Sequence, residues 1–314
     1  MSFSSQTKIQ ISQINTANRC CQLAEFLALT KTDGSLSLTG DRGVALSIVT
    51  ENVAVAKKIF RLSKLLFERP GEVMVYRKNR LKKNNIYSIQ IPPQPGVDDI
   101  FIHLGLMDES GRWQGNFRDS FPGPALEKTC CRRAYLRGAF LGSGSVNNPE
   151  SSYHMEIVCS NQQHAQDLQA MLGDFQIKAR ICQRKSQSVL YLKDGEQIVE
   201  FLNIIGAHQA LFAYENERIR KDLCNKVNRQ ENFDLANTDK IVNASWEQRQ
   251  AIEKIKSHGG LAKLPPRLRE VAELRLENPQ SSLGDLAEML SPPISKSGVR
   301  HRLKKLQKMA EELE

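Results

Sequence analysis

The residues best suited to chemistry lie near the end of the chain. No acidic residue occurs between Met289 and Ala310, while Lys296, Arg300, His301, Arg302, Lys304, Lys305 and Lys308 crowd that segment. Val299, Leu303 and Leu306 recur there at three- and four-residue spacing, which predicts a helix with one apolar and one cationic side. A guanidinium matches the paired acceptors on a guanine edge, and an ammonium suits a phosphate as a point charge. A basic helix face is often only a solvated face. Here the turn, capping, inward spacing and acid-free stretch agree, so contact with nucleic acid is the stronger reading. Other reactive types are dispersed. The histidines (His103, His154, His164, His208, His258, His301) show no metal-ligand spacing, and there is no CxxC. The pairs Cys20-Cys21 and Cys130-Cys131 cannot turn both sulfurs to one face of a helix, so they read as small apolar residues. No metal and no cofactor is expected.

The elements around the basic segment give it a frame. Ser281 or Ser282 caps a helix over residues 283–290, with Leu283, Leu286, Ala287 and Leu290 inward. Ser291-Pro292-Pro293 breaks it, and Ser295 opens the second helix. Helix, short turn and helix with this spacing predict a helix-turn-helix. Ser295, Lys296, Ser297 and Arg300 then lie near the end of the second helix that meets base edges. Arg300 or Arg302 suits guanine, His301 a phosphate, and Lys304 and Lys305 phosphates. Upstream, Leu264-Pro265-Pro266 starts a helix to residue 277 with Leu268, Val271, Ala272 and Leu274 inward. Residues 214–228 predict a charged helix, 229–245 an Asn-rich polar linker that lets its flanks reorient, and 246–257 another helix ending at His258-Gly259-Gly260.

A chain of 314 residues accommodates two or three domains. Lys+Arg is 44 against 35 for Asp+Glu, a net charge of +9 that favours an acidic partner without proving one. No apolar run reaches the roughly 18 residues a membrane span needs, and MSFSSQTKIQISQ lacks a secretory pattern. The odd count of 7 cysteines without an export signal argues for reduced thiols in the cytoplasm.

The chain also repeats itself. CCQLAEFLALTKTDGSL from Cys20 matches CCRRAYLRGAFLGSGSV from Cys130, pairing Ala24 with Ala134, Gly34 with Gly144 and Ser35 with Ser145. Further on, Ile48, Val49, Asn52 and Ala56 pair with Ile157, Val158, Asn161 and Ala165. Two copies, over residues 20–107 and 130–206, each read as αββαββα. Each first helix is expected to end at a Gly-containing turn, and residues 98–107 to form the last helix of the first copy.

This arrangement resembles the LAGLIDADG homing-endonuclease fold in its single-chain, two-repeat form. LRGAFLGSGS and FLALTKTDGS carry the resemblance. It implies an α+β fold in which two helices pack across a pseudo-twofold axis, with Gly138, Ala139 and Ala28 permitting close approach. It also implies that the residue before the last motif glycine is an acid in active enzymes, holding divalent metal. Those positions are Asp33 and Ser143, and the other acidic position is Lys31 or Leu141. A hydroxyl and a leucine cannot replace anionic ligands, and Lys31 would repel a cation. No nuclease activity is therefore expected, Asp33 and Ser143 are vestigial, and Asp33-Gly34 reads as a simple turn.

Over nearly the whole chain the sequence is similar to the WhiA family. CCRRAYLRGAFL, ENERIRKDLCNKVNR, LPPRLREVAELRLENP and LGDLAEMLSPPISKSGVRHRLKKL carry that likeness. It implies an N-terminal segment (1–19), a degenerate two-repeat domain (20–213), a helical linker (214–260) and an all-α helix-turn-helix domain (261–314), resembling the promoter-binding region of sigma factors. It implies a non-enzymatic DNA-binding regulator of cell division, chromosome segregation and sporulation, nucleoid-associated, with double-stranded DNA as partner. A WhiB-type iron–sulfur protein or RNA polymerase components are further partners it implies, with no membrane. Two rivals are an active endonuclease and a protein-interaction platform with weak DNA affinity. A second basic cluster includes Lys57, Lys58 and Arg61, and continues through Arg77, Lys78, Arg80, Lys82 and Lys83. It reads equally as a secondary DNA contact or as a solvated helix face with a hairpin loop.

Overall fold

In the computed structural model, helices α2 (Arg19–Asp33) and α5 (Thr129–Ser143) pack against each other within the first of two units, Met1–Arg220. The structure describes all residues except 39–42, 78–84, 114–122 and 314. The two helices approach closely because their facing residues are small. A Cβ added at Gly138 would lie 2.4 Å from the Glu25 carbonyl oxygen and 2.8 Å from Ala28 Cβ. Ala139 is fully buried beside this contact.

Each helix of the pair runs directly into a strand, α2 into β1 (Gly34–Leu38) and α5 into β5 (Gly144–Val146). Gly34 and Gly144 are extended, with φ of −81° and −78°. The expected glycine turn is absent, and Asp33 is the last helical residue rather than part of a turn. The first repeat continues through β2 (Val44–Thr50), α3 (Val53–Leu66), β3 (Glu72–Arg77), β4 (Asn85–Ile91) and α4 (Pro95–His103). The second continues through β6 (Met155–Cys159), α6 (Gln162–Gly173), β7 (Arg180–Arg184), β8 (Gln187–Leu192) and α7 (Gly195–Ile205). Asn52 and Asn161 cap α3 and α6, their side chains accepting from backbone N–H groups of the first turn.

The two sheets share one antiparallel topology, β1-β2-β4-β3 and β5-β6-β8-β7. Leu46, Ile48, Ile89 and Ile91 face the helices from the first sheet, and Met155, Ile157, Leu190 and Leu192 from the second. This is the α+β, pseudo-symmetric fold that the repeat implied. The last helix of the first repeat differs from expectation. It begins at Pro95, which suits a first turn, and ends at His103 before Gly105 at φ +69°. One element was not anticipated, α1 (Phe3–Ser12), capped by Ser2.

The polar linker expected over residues 229–245 is instead helical. A single helix, α8, spans His208–Gly259. No proline or glycine interrupts it before Gly259, so nothing stops propagation; polarity marks exposure, not the absence of a helix. In the second unit (Lys221–Glu314), Ile252 and Ile255 of α8 join a core with α9 (Pro266–Glu277), α10 (Leu283–Met289) and α11 (Lys296–Glu311). Among the described residues, no helix is long and apolar enough to cross a membrane.

Candidate nucleic-acid interface

The helix-turn-helix is built from caps inward. Ser282 Oγ accepts from Asp285 N at 3.3 Å while Ser282 N donates to Asp285 Oδ2 at 2.8 Å, a reciprocal cap that starts α10. In the turn, Ile294 N donates to the Ala287 carbonyl at 3.1 Å and Ser291 N to Glu270 Oε1 of α9 at 3.1 Å. Ser295 Oγ accepts from Gly298 N at 3.2 Å and so starts α11. Val299, Leu303, Leu306 and Ala310 are buried against Leu286, Ala287 and Leu290. Leu274 and Leu283 are only half-buried. Arg275, which sequence reasoning passed over, is buried; its Nη1 donates to the Ser281 carbonyl at 2.7 Å and holds the α9–α10 connection.

This packing fixes which basic residues face outward. Ser295, Lys296, Ser297, Arg300, His301, Lys304 and Lys305 are all exposed, as is Lys308. At 3.6 residues per turn, Ser297, His301 and Lys308 lie opposite the buried stripe, with Lys304 and Lys305 to either side of them and Arg300 at the flank. Arg302 differs. It is half-buried, and its Nη1 reaches back to the Arg267 carbonyl of α9 at 3.4 Å. The pair of arginines that the sequence treats as equivalent is therefore split.

A second assembly lies at the foot of the α2–α5 pair, where Asp33 and Ser143 end the two helices. A Cβ added at Gly142 would lie 3.0 Å from Asp33 Oδ2, so the carboxylate of one repeat abuts the backbone of the other. Lys8 of α1 enters the same place, its Nζ donating to the Gly142 carbonyl at 3.0 Å. Burial pushes the Asp33 carboxyl up to about 6, and the Lys8 charge offsets this only in part. Burial likewise lowers Lys8 to about 8, opposed by Asp33. Ser143 Oγ is buried with no hydrogen-bond partner among the described residues. The cation that acts on Asp33 is thus Lys8, while the buried Lys31 acts on His164 and Cys159. His164, hydrogen-bonded to the Tyr135 hydroxyl at 3.2 Å, is lowered by burial to about 3. Sequence reading missed Lys8; the only local signal was Ser2 as a cap for a short helix.

The described members of the second basic cluster differ in exposure. Lys58 is buried, ion-paired with Glu25 at 3.3 Å, and Arg137 from the other repeat meets the same carboxylate at 3.2 Å. Arg61 donates to Asn15 Oδ1 at 2.6 Å. Arg77 is exposed at the end of edge strand β3. Lys78, Arg80, Lys82 and Lys83 lie outside the described residues. The cysteine pairs also depart from expectation. Cys20, Cys21, Cys130 and Cys131 converge, with all four sulfurs within 4.8 Å of one another. Adjacent residues diverge on their own helix, but the partner helix supplies the facing pair.

Three family models match in succession: the WhiA N-terminal LAGLIDADG-like domain over residues 19–107, the WhiA LAGLIDADG-like domain over 132–224, and the WhiA C-terminal HTH domain over 227–310. The chain belongs to the WhiA family. "Probable cell division protein WhiA" of Heliobacterium modesticaldum is 48% identical over 311 residues, covering 99% of this chain and 96% of that protein. The same-named protein of Desulforamulus reducens is 48% identical over 315 residues, covering 100% and 96%. The crystal structure of full-length DUF199/WhiA from Thermatoga maritima is similar across 100% of this chain and 99% of its own, with a TM-score of 0.60 and 26% identity. The WhiA combination of a LAGLIDADG-like fold with a helix-turn-helix is therefore the architecture of this chain.

Proposed function

We propose that the chain binds double-stranded DNA without cutting it and acts as a regulator, with α11 as the reading helix. The observation that carries this is the exposed cationic face of α11, from Lys296 to Lys308, docked through α10 and facing no acid of its own helix until Glu311. In this reading Ser297 and Arg300 address base edges, while Lys304 and Lys305 neutralise phosphates. Ser295, Lys296, His301 and Arg302 complete the surface, Arg302 at its margin because it also holds α9. Arg77 is a secondary phosphate contact.

The foot of the helix pair supports the non-cleaving part. A divalent cation there asks for several anionic oxygen ligands. The residues present offer one carboxylate, a serine in place of the second, and an ammonium donating to the neighbouring carbonyl. This donor set does not fit the metal of an active LAGLIDADG enzyme. Regulation of division genes, association with the nucleoid and chromosome segregation, a role in sporulation, and WhiB-type or RNA polymerase partners belong to the same proposal through the family.

The test is a salt titration of full-chain binding to genomic fragments beside the Arg300→Ala/Lys304→Ala variant. Wild type should lose affinity linearly in log salt, with a slope of about −0.9 per neutralised phosphate, and the variant should bind more weakly with a shallower slope. Unchanged binding by the variant, or Mg²⁺-dependent cutting of plasmid by wild type, would reject the reading.

A further inference from the structure

The opposite end of the α2–α5 pair carries chemistry that the DNA-binding reading does not use. Cys20 and Cys21 occupy the first turn of α2, and Cys130 and Cys131 the first turn of α5. Side chains of adjacent helical residues point about 100° apart, so one helix alone cannot close around a point. Two such pairs related by a pseudo-twofold axis can. All four sulfurs lie within 4.8 Å of one another, although the residues are far apart in sequence. Cys21 and Cys131 are 3% and 1% exposed, Cys20 is half-buried and Cys130 is exposed.

Four sulfurs this close to one another suit a four-thiolate ligand set. With zinc–sulfur bonds of about 2.3 Å, the edges of a regular tetrahedron are about 3.8 Å. Sulfurs now within 4.8 Å need to move inward by no more than about 1 Å to reach it. Four sulfurs and no oxygen or imidazole select a soft or borderline cation over magnesium or calcium. All four cysteines sit in the first turn of a helix whose cap residue, Asn18 or Lys128, gives no side-chain cap, and the positive end of a helix dipole favours thiolate. A groove lined by Cys21, Cys130, Arg133 and Asn18 leads in from solvent, giving an entry path beside a cation that offsets the surplus thiolate charge.

We propose that Cys20, Cys21, Cys130 and Cys131 form a tetrathiolate site for one zinc-class divalent ion, joining the N-terminal ends of α2 and α5. Each thiol gives its proton to solvent as the ion binds, and no oxidant is required. The ion ties the two repeats together about 20 Å along the helices from Asp33 and Ser143, given 1.5 Å of rise per residue. The site is independent of DNA binding by α11.

The test uses the full chain, reduced and stripped with chelator, then titrated with zinc chloride and separately with cobalt chloride. The expected result is one zinc per chain and a cobalt complex with thiolate charge-transfer absorption and the strong visible bands of tetrahedral sulfur coordination. Cys130→Ser, chosen because the residue is exposed, should weaken zinc binding by at least about tenfold while circular dichroism stays unchanged. Cys20→Ser is the second variant should the first misfold, and Cys182→Ser, exposed in β7, should leave binding as in wild type. No stoichiometric zinc, an octahedral cobalt spectrum, equal binding by Cys130→Ser, or peptide mapping that finds Cys20 and Cys21 disulfide-bonded to Cys130 and Cys131 in glutathione buffer would each overturn the proposal.

Discussion

Lys58 and Arg137 meet Glu25 inside the first unit, whereas Lys304 and Lys305 of the second stand in solvent on α11. Lys8 repeats the first pattern, its ammonium drawn to the Gly142 carbonyl beside Asp33. Both units are rich in basic residues, yet Arg137 and Lys8 of the first are drawn inward across the repeats while those of α11 are open to a partner. Net charge therefore says little about where an acidic partner sits. What decides is whether a carboxylate faces the cation: Glu25 does so for two cations at once, and α11 carries none before Glu311.

The largest way to break this contrast is at Glu25. Glu25→Gln leaves Lys58 and Arg137 buried without their counter-charge, and removing one member of such a group costs about 3–5 kcal/mol. Urea unfolding should show the loss, while the folded fraction keeps its DNA affinity. A variant as stable as wild type but poor in DNA binding would mean that these cations serve DNA after all.

Asp33 gives the next effect and sharpens the comparison through pH. Its folded value is raised to about 6 by burial, so the protonated form fits the fold better than the ion. Its stabilising contribution is complete below the unfolded value and is lost as pH rises through about 6. Between pH 4 and 7 the stability of wild type relative to Asp33→Asn should fall by about 2–3 kcal/mol, at 1.36 kcal/mol per unit. A flat difference across that window would mean that Asp33 is solvated rather than enclosed with Lys8.

The smallest effects separate two neighbours on α11. Arg300→Ala should weaken specific DNA binding by about 1–3 kcal/mol and relax the preference for one base. Arg302→Ala should cost less in binding and more in thermal stability, because Arg302 also donates to the Arg267 carbonyl. Equal losses, measured by fluorescence anisotropy at fixed salt, would place both arginines at the DNA and remove the distinction.

Local patterns were read well from the chain. Capping serines, the Pro-Pro break and the apolar spacing located α9, α10 and α11 within a residue or two, because each signal acts within one turn. The repeat likewise announced the paired helices and matched sheets. Polarity alone misleads at residues 229–245, which continue one exposed helix as the helical linker of the family likeness implies, and the Gly-containing turns are direct helix-to-strand transitions. Asp33 stands out in the repeat motif, but its neighbour Lys8 comes from a helix whose sequence carries little signal.

Sequence by itself determined the repeated α+β fold and the helix-turn-helix. Only the tertiary structure decided which cation stands beside Asp33, which cations are withdrawn into the interior, and that four cysteines from two distant pairs share one point. The reason is physical. Helix caps and amphipathic spacing depend on neighbours within about four residues, but charge pairing and ligand geometry depend on side chains that meet only when α1, α2, α3 and α5 pack.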